Sequence, residues 1–247
     1  MSVVGSRITE EKKMNQSKVC VVVGAGPGNG LALGKRFVAA EYTTALLARS
    51  SENLDDLKTA LPAAHTYPCD VTNPDAIEAA FGSVAQDLGP VDTLIYNAGS
   101  GVFGSIDEID GEAFEQAWRT NALGCYHCVN TVLPGMRASG KGTIIVIGAT
   151  AAKRGGARFT AFASAKAAQY NLAQSMARHL GPENIHVAYV VIDGMIDIPR
   201  TRARMPDKAD EFFLNPADIA DAVYRIAQQP PSAWTFEFDL RPFCENW

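Results

Sequence analysis

The stretch Gly24-Ala25-Gly26-Pro27-Gly28-Asn29-Gly30 has the residue types that hold a phosphate. Glycines let a backbone approach a pyrophosphate closely. A helix that starts at such a turn offers its positive end and free N–H groups. A glycine cluster alone says little, but one that follows the first strand of an alternating strand–helix pattern says much more. The competing reading is a tight turn with no ligand. Arg49 closes the next apolar run, Leu47-Ala48-Arg49-Ser50. A carboxylate at that place would bind a ribose 2′-hydroxyl, whereas a guanidinium suits a 2′-phosphate. The pattern favours NADP(H) over NAD(H), with a solvated loop arginine as the alternative.

Lys166 lies in an alanine-rich run from Phe159 to Leu180. Phe162 precedes it by one helical turn, on the same face. A phenyl ring can neither give nor take a proton. Tyr96, Thr150, Ser164, Asp193 and Asp197 fall at or near strand ends and are candidates to supply one. For Asp193 the choice is between a buried carboxyl that titrates upward and a turn aspartate bonded to its own backbone. Lys153, Arg154 and Arg158 either meet an anionic substrate or form a solvated loop. Cys125 and Cys128 make a lone CxxC pair without a second pair or suitably spaced histidines, so ordinary buried thiols are expected and no metal.

The elements that must position these groups alternate. Val19–Val23 reads as a central parallel strand, and Leu31–Ala40 has helical spacing. Strands follow at Thr43–Ala48, His65–Tyr67, Val91–Tyr96, Thr143–Ile147 and His186–Ile192, with helices at Asn53–Ala60, after Asn73-Pro74, from Glu112 to about Ser139, and over Phe159–Leu180. Asn215-Pro216 opens a last helix through about Gln228, and Trp234–Leu240 suits a final strand. This is an α/β pattern, a doubly wound parallel sheet of about seven strands with helices on both faces. Ligands bind such sheets past the carboxyl ends of the strands.

The chain has 247 residues, 47% of them apolar and 20% charged, enough for one large core. Residues 18–247 are expected to form a single dinucleotide-binding domain and residues 1–17 a flexible arm. A net charge of −5 argues against nucleic acid as a partner. No run is long and apolar enough for a membrane span, and no secretion signal is evident at the start. Five cysteines, an odd count, fit a reducing compartment, so a cytoplasmic location is expected.

Over residues 18 to 228 the chain resembles a short-chain dehydrogenase/reductase, a family with a single Rossmann-type domain. Gly24, Gly28 and Gly30 match its GxxxGxG spacing, with Val23 where threonine is usual. Asp70-Val71 resembles the acidic pair at the adenine. Tyr96-Asn97-Ala98-Gly99 resembles the NNAG strand end, and Asn121-Ala122-Leu123-Gly124 the segment with the catalytic asparagine. Asp193-Gly194 stands where the family has Pro-Gly. The resemblance assigns cofactor binding to Gly24, Gly28, Gly30, Asp70, Val71, Asn97, Ala98, Gly99, Lys166 and Gly194, and the turn and strand-end readings add Asn29 and Arg49.

The family's reaction uses Ser, Tyr and Lys, with Asn in support. Here Lys166 and Asn121 are kept. Phe162 occupies the tyrosine position and Ala149 the serine position. The chain resembles an atypical subgroup with phenylalanine in place of the tyrosine. Two functions are therefore expected. One is an NADP(H)-binding oxidoreductase with a degenerate site that reduces an activated substrate. The other is a catalytically silent NADP(H) sensor or scaffold. The resemblance also implies a homodimer or homotetramer, and Ala161, Ala165 and Ala168 form a small-residue face suited to close helix approach.

Overall fold

The computed structural model describes residues 17–245. The predicted arm therefore lies almost wholly outside the described residues, as do Asn246 and Trp247.

Strand β1 (Val19–Val23) is buried along its whole length. Its side chains alternate between two cores: Val19, Val21 and Val23 join one cluster, Cys20 and Val22 the other. A strand packed on both faces has to be apolar throughout. Helix α1 (Asn29–Val38), β2 (Thr43–Ala48), α2 (Ser51–Ala60) and β3 (His65–Pro68) build one side of the sheet. Helix α3 (Pro74–Leu88), capped by Asn73, leads to β4 (Val91–Tyr96), which returns to the other edge of β1. Helices α4 (Gly111–Trp118) and α5 (Gly124–Ser139), strand β5 (Gly142–Ile147), helix α6 (Thr160–Leu180) and β6 (Ile185–Ile192) follow.

A short excursion carries β7 (Met195–Ile196), α7 (Pro199–Arg204) and β8 (Phe213–Leu214). Helix α8 (Pro216–Ala227) and edge strand β9 (Glu237–Leu240) complete the described chain. The main sheet has seven parallel strands in the order β3-β2-β1-β4-β5-β6-β9. The chain changes direction across the sheet between β1 and β4, which places the crevice at their carboxyl ends.

The structure corrects four details. Helix α1 starts at Asn29, two residues earlier than its apolar spacing suggests, directly on the glycine turn. The single long helix expected from Glu112 is broken by a π turn over Arg119–Leu123, centred on Asn121. The last strand begins at Glu237, three residues later than expected, after a 3₁₀ turn over Pro231–Ala233. Ala161 and Ala165 are not a free face: each is 1% exposed, and both pack within the chain on Ala117 of α4.

Candidate active site

The glycine turn is fastened to both neighbouring strands. Gly24 N and Ala25 N donate to Leu47 O at 2.9 and 2.8 Å. Asn97, just past β4, donates its backbone N to Val23 O at 2.9 Å and its Nδ2 to Gly24 O at 2.8 Å. Asn97 Oδ1 in turn accepts from Asn29 Nδ2 at 3.0 Å. Gly24 has φ +77°, and a Cβ there would stand 2.3 Å from Ala98 Cα, so glycine is required on both counts. At Gly28 a Cβ would meet Ile198 Cγ2 at 2.2 Å, so the missing side chain makes room for the β7–α7 excursion.

Of the remaining predicted nucleotide residues, Arg49, Asp70 and Gly194 follow the carboxyl ends of β2, β3 and β6. Helix α1 has no side chain capping it and no acid in its first turn, which leaves its positive end to a ligand. Arg49 is exposed at the end of β2. Asp70 folds its own turn, its Oδ1 accepting from Thr72 N at 2.9 Å and Thr72 Oγ1 at 2.8 Å, beside buried Val71. Gly194, with φ +151°, turns the chain out of β6 against Pro242.

Lys166 and Asn121 come together. Both flank Gly99: a Cβ on that glycine would be 3.3 Å from Asn121 Oδ1 and 3.6 Å from Lys166 Nζ. Lys166 is 5% exposed and donates to Ile147 O at 3.1 Å and to Gln169 Oε1 at 3.0 Å. Burial lowers its pKa to about 8, with no carboxylate nearby to oppose the shift. Asn121 Nδ2 donates to Ala117 O and Ser100 O, while its Oδ1 is buried without a partner. An unpartnered acceptor beside an ammonium with a third N–H to give calls for a group that both donates and accepts, which a hydroxyl does. Together, the glycine cradle, the uncapped helix end and this polar pair fit a dinucleotide with a ribose hydroxyl beside Lys166.

The position expected to carry the proton donor, Phe162, is hydrocarbon. Phe162 packs in a trio with Phe103 and Phe159, its ring centroid 5.1 Å from the first and 6.0 Å from the second. Phe103 and Phe159 stay 47% and 38% exposed at the mouth between α6 and the loop after β4. Ala149 ends the loop after β5 and caps a 3₁₀ turn with no side-chain bond.

The other residues expected as proton donors are engaged elsewhere. Tyr96, expected to face the crevice, is 0% exposed and donates its hydroxyl to Thr120 O at 2.5 Å inside the core. Strand β4 is covered on both faces, so its last side chain points into a layer of helix instead of the cleft. Ser164 bonds Thr160 O on the outer side of α6. Thr150 Oγ1 donates to Asp193 Oδ1 at 2.5 Å, and Arg241 lies 3.4 Å from Asp193 Oδ2. Asp193 thus ties the ends of β5, β6 and β9 together and is neither an unpaired acid nor a turn bonded to its own backbone. Asp197 is held by Arg202 within the excursion at 2.7 Å. Lys153 pairs with Glu237 and Arg158 with Glu108, while Arg154 is exposed.

Among the described residues no group of three or more histidine, cysteine or acidic side chains is placed to hold a metal. Cys125 and Cys128 are buried thiols. Sequence reasoning missed Gln169, which is 0% exposed and bonds both Lys166 and Asn121.

The chain belongs to the short-chain dehydrogenase family, whose profile matches residues 18–209. Members of this family are NAD(P)-dependent oxidoreductases. Over 224 residues it is 30% identical to the 3-oxoacyl-[acyl-carrier-protein] reductase MabA of Mycobacterium tuberculosis, covering 87% of each chain. It is also similar to the crystal structure of a short-chain dehydrogenase from Rhodopseudomonas palustris. That likeness has a TM-score of 0.78 and 33% identity, and covers 92% of this chain and 99% of the other. A metagenomic short-chain oxidoreductase solved in complex with NADP matches with a TM-score of 0.80 and 27% identity, over 93% and 99% of the two chains.

Proposed function

We propose that this protein is an NADP(H)-binding oxidoreductase that reduces an activated acceptor without a protein proton donor. The observation that carries the reading is Phe162, one turn before a retained and buried Lys166. The clasp for the nucleotide is kept while the acid beside it is replaced by a packed ring.

The dinucleotide, once bound, supplies a hydride. The chain's own contribution is alignment. The glycine turn and the α1 end hold the phosphates, Lys166 and Asn121 hold the ribose, and the Phe103–Phe159–Phe162 trio lines one side of the mouth with apolar surface. A plain ketone would lose roughly 10²–10⁴ in rate without general acid catalysis. An electron-poor double bond suffers less, because the charge left after hydride arrives is spread over the conjugated group and water can deliver the proton. Arg49 supports the choice of NADP(H), as does the NADP held by the metagenomic relative.

The test is a titration of NADPH, then a panel of conjugated enones and ketones followed by NADPH oxidation. Turnover of enones that is lost in Lys166→Ala supports the proposal; no NADPH binding at millimolar concentration removes it. A second reading, a silent NADP(H) sensor, is favoured by the joint loss of both hydroxyls at Ala149 and Phe162. It predicts NADPH binding with no turnover of any acceptor.

Two further expectations stand as proposals. A homodimer or homotetramer would use the exposed aromatics Phe114, Trp118 and Tyr126 on the α4–α5 run, which are 41%, 41% and 48% exposed. Trp118→Glu should then lower the mass seen by sedimentation. No helix among the described residues is long and apolar enough to cross a membrane, and a cytoplasmic location is proposed.

A further inference from the structure

Gln169 is fully buried on α6, three residues after Lys166. A buried carboxamide needs partners for both of its ends. Its Oε1 accepts from Lys166 Nζ at 3.0 Å and its Nε2 donates to the Asn121 backbone carbonyl at 2.8 Å. Chemistry forces this orientation, since an ammonium only donates and a carbonyl only accepts. The carbonyl belongs to the central residue of the π turn, a local distortion of a kind often found at functional sites. One side chain thus spans the two polar residues that the site retains.

We propose that Gln169 is a positioning residue of this site: its carboxamide braces Lys166 against the π turn at Asn121 and sets where the ammonium stands. The proposal rests on the reading of Lys166 as the nucleotide clasp. A carboxylate at this place would hold the ammonium more tightly but would also neutralise it. An amide aligns the ammonium and leaves its charge for a ligand. An amide also passes no proton, so Lys166–Gln169–Asn121 is a brace and not a relay. That agrees with a site whose proton-donor position holds a phenyl ring.

The groups that face Lys166 are few. Ile147 contributes a carbonyl from β5, Asn121 an amide from the π turn, and Gln169 its oxygen from the same helix. Cys125 on α5 is the titratable group set against it, and burial pushes that thiol up to about 12, so it is neutral over the working range.

The experiment measures the NADPH dissociation constant of the full chain from pH 7 to 10, for wild type, Gln169→Leu, Gln169→Glu and Lys166→Met. In wild type, affinity should fall as pH rises through about 8, where Lys166 loses its proton, and Lys166→Met should be flat. Gln169→Leu removes a neutral acceptor from a cation. It should move the midpoint lower and weaken binding at pH 7.5 by about 10-fold, the scale of one hydrogen bond to a charged group. Gln169→Glu should move the midpoint higher. Should Gln169→Leu not fold, the nearly isosteric Gln169→Glu gives the same reading against wild type. Midpoints that stay at the wild-type value while only melting temperature drops would show a merely structural glutamine and overturn the proposal. Absence of NADPH binding by wild type at every pH is a different result, and defeats the nucleotide reading itself.

Discussion

The ring of Phe162 lies 5.1 Å from that of Phe103, centroid to centroid, with the planes tilted by 60°. This is the ordinary geometry of a packed aromatic pair. Phe162 is therefore built into an apolar wall that also includes Phe159. If only the hydroxyls are missing, restoring them should restore chemistry. Phe162→Tyr with Ala149→Ser is expected to raise reduction of simple ketones by roughly 10²–10⁴, the range of general acid catalysis. Phe162→Tyr alone should give less, because the groups act as a unit. The check is NADPH oxidation with an unactivated ketone at saturating cofactor. No gain in the double variant would mean that the acceptor pocket itself has changed.

Lys166 gives a signature in stability. Its pKa is lowered by burial from 10.5 to about 8 in the folded chain. Between those values the unfolded chain holds a proton that the folded chain lacks, so folding gains as pH rises through that window. The sign is opposite to that of a salt-bridged lysine. A shift of this size corresponds to about 3 kcal/mol at most. Urea unfolding of wild type against Lys166→Met should show this relative gain between pH 8 and 10.5, the difference cancelling the titration of cysteines and tyrosines common to both. A constant difference across the window would mean that Lys166 is charged and paired in the folded state.

Much of this site could be read from the sequence, for reasons tied to particular residues. Val19–Val23 is apolar at every position because both of its faces are covered, and Gly24 and Gly30 after it stand where close backbone contact requires them. Lys166 and Asn121 were found through the family resemblance of the segments that carry them. What could not be read is cross-chain bonding. Gln169 in an alanine-rich helix looks like a surface residue, since nothing local says that a lysine and a carbonyl await it. Tyr96 looks like a crevice residue because it ends a strand, yet strand ends alternate between faces and its side falls into the core. The π turn was hidden because Arg119–Leu123 holds no glycine or proline to mark a break in the helix.

Gly24 should be intolerant of any side chain. Alanine there would have to adopt φ +77°, which costs roughly 1–2 kcal/mol. Its Cβ would also sit 2.3 Å from Ala98 Cα, a backbone atom that cannot rotate away. Overpacking of this kind adds about 1–3 kcal/mol. Gly24→Ala is therefore expected to lower unfolding free energy by roughly 2–5 kcal/mol, the sum of the two ranges. Gly26 is the control, since a Cβ there meets nothing within 4 Å and φ is not positive. Equal losses at the two positions in urea titrations would contradict the packing argument.

On the proposed reading, Arg49 sets which dinucleotide is preferred. It is exposed where β2 ends, beside a turn whose Gly24 and Ala25 amides bond Leu47 O. No carboxylate stands at that strand end to take a ribose 2′-hydroxyl; the neighbouring side chain, Ser50, caps α2 by accepting from Asn53 N. A guanidinium there gains from a 2′-phosphate through charge-assisted hydrogen bonds and gains little from a neutral hydroxyl. Arg49→Ala should therefore raise the NADPH dissociation constant by about 10-fold or more, the scale of a charged hydrogen bond, and leave that for NADH nearly unchanged. Salt should weaken NADPH binding in wild type more than in the variant, because an exposed ion pair is screened. Fluorescence titration with both cofactors at two salt concentrations measures all four quantities. If NADPH and NADH weaken by the same factor, Arg49 is acting on the shared part of the nucleotide and the 2′-phosphate assignment is wrong.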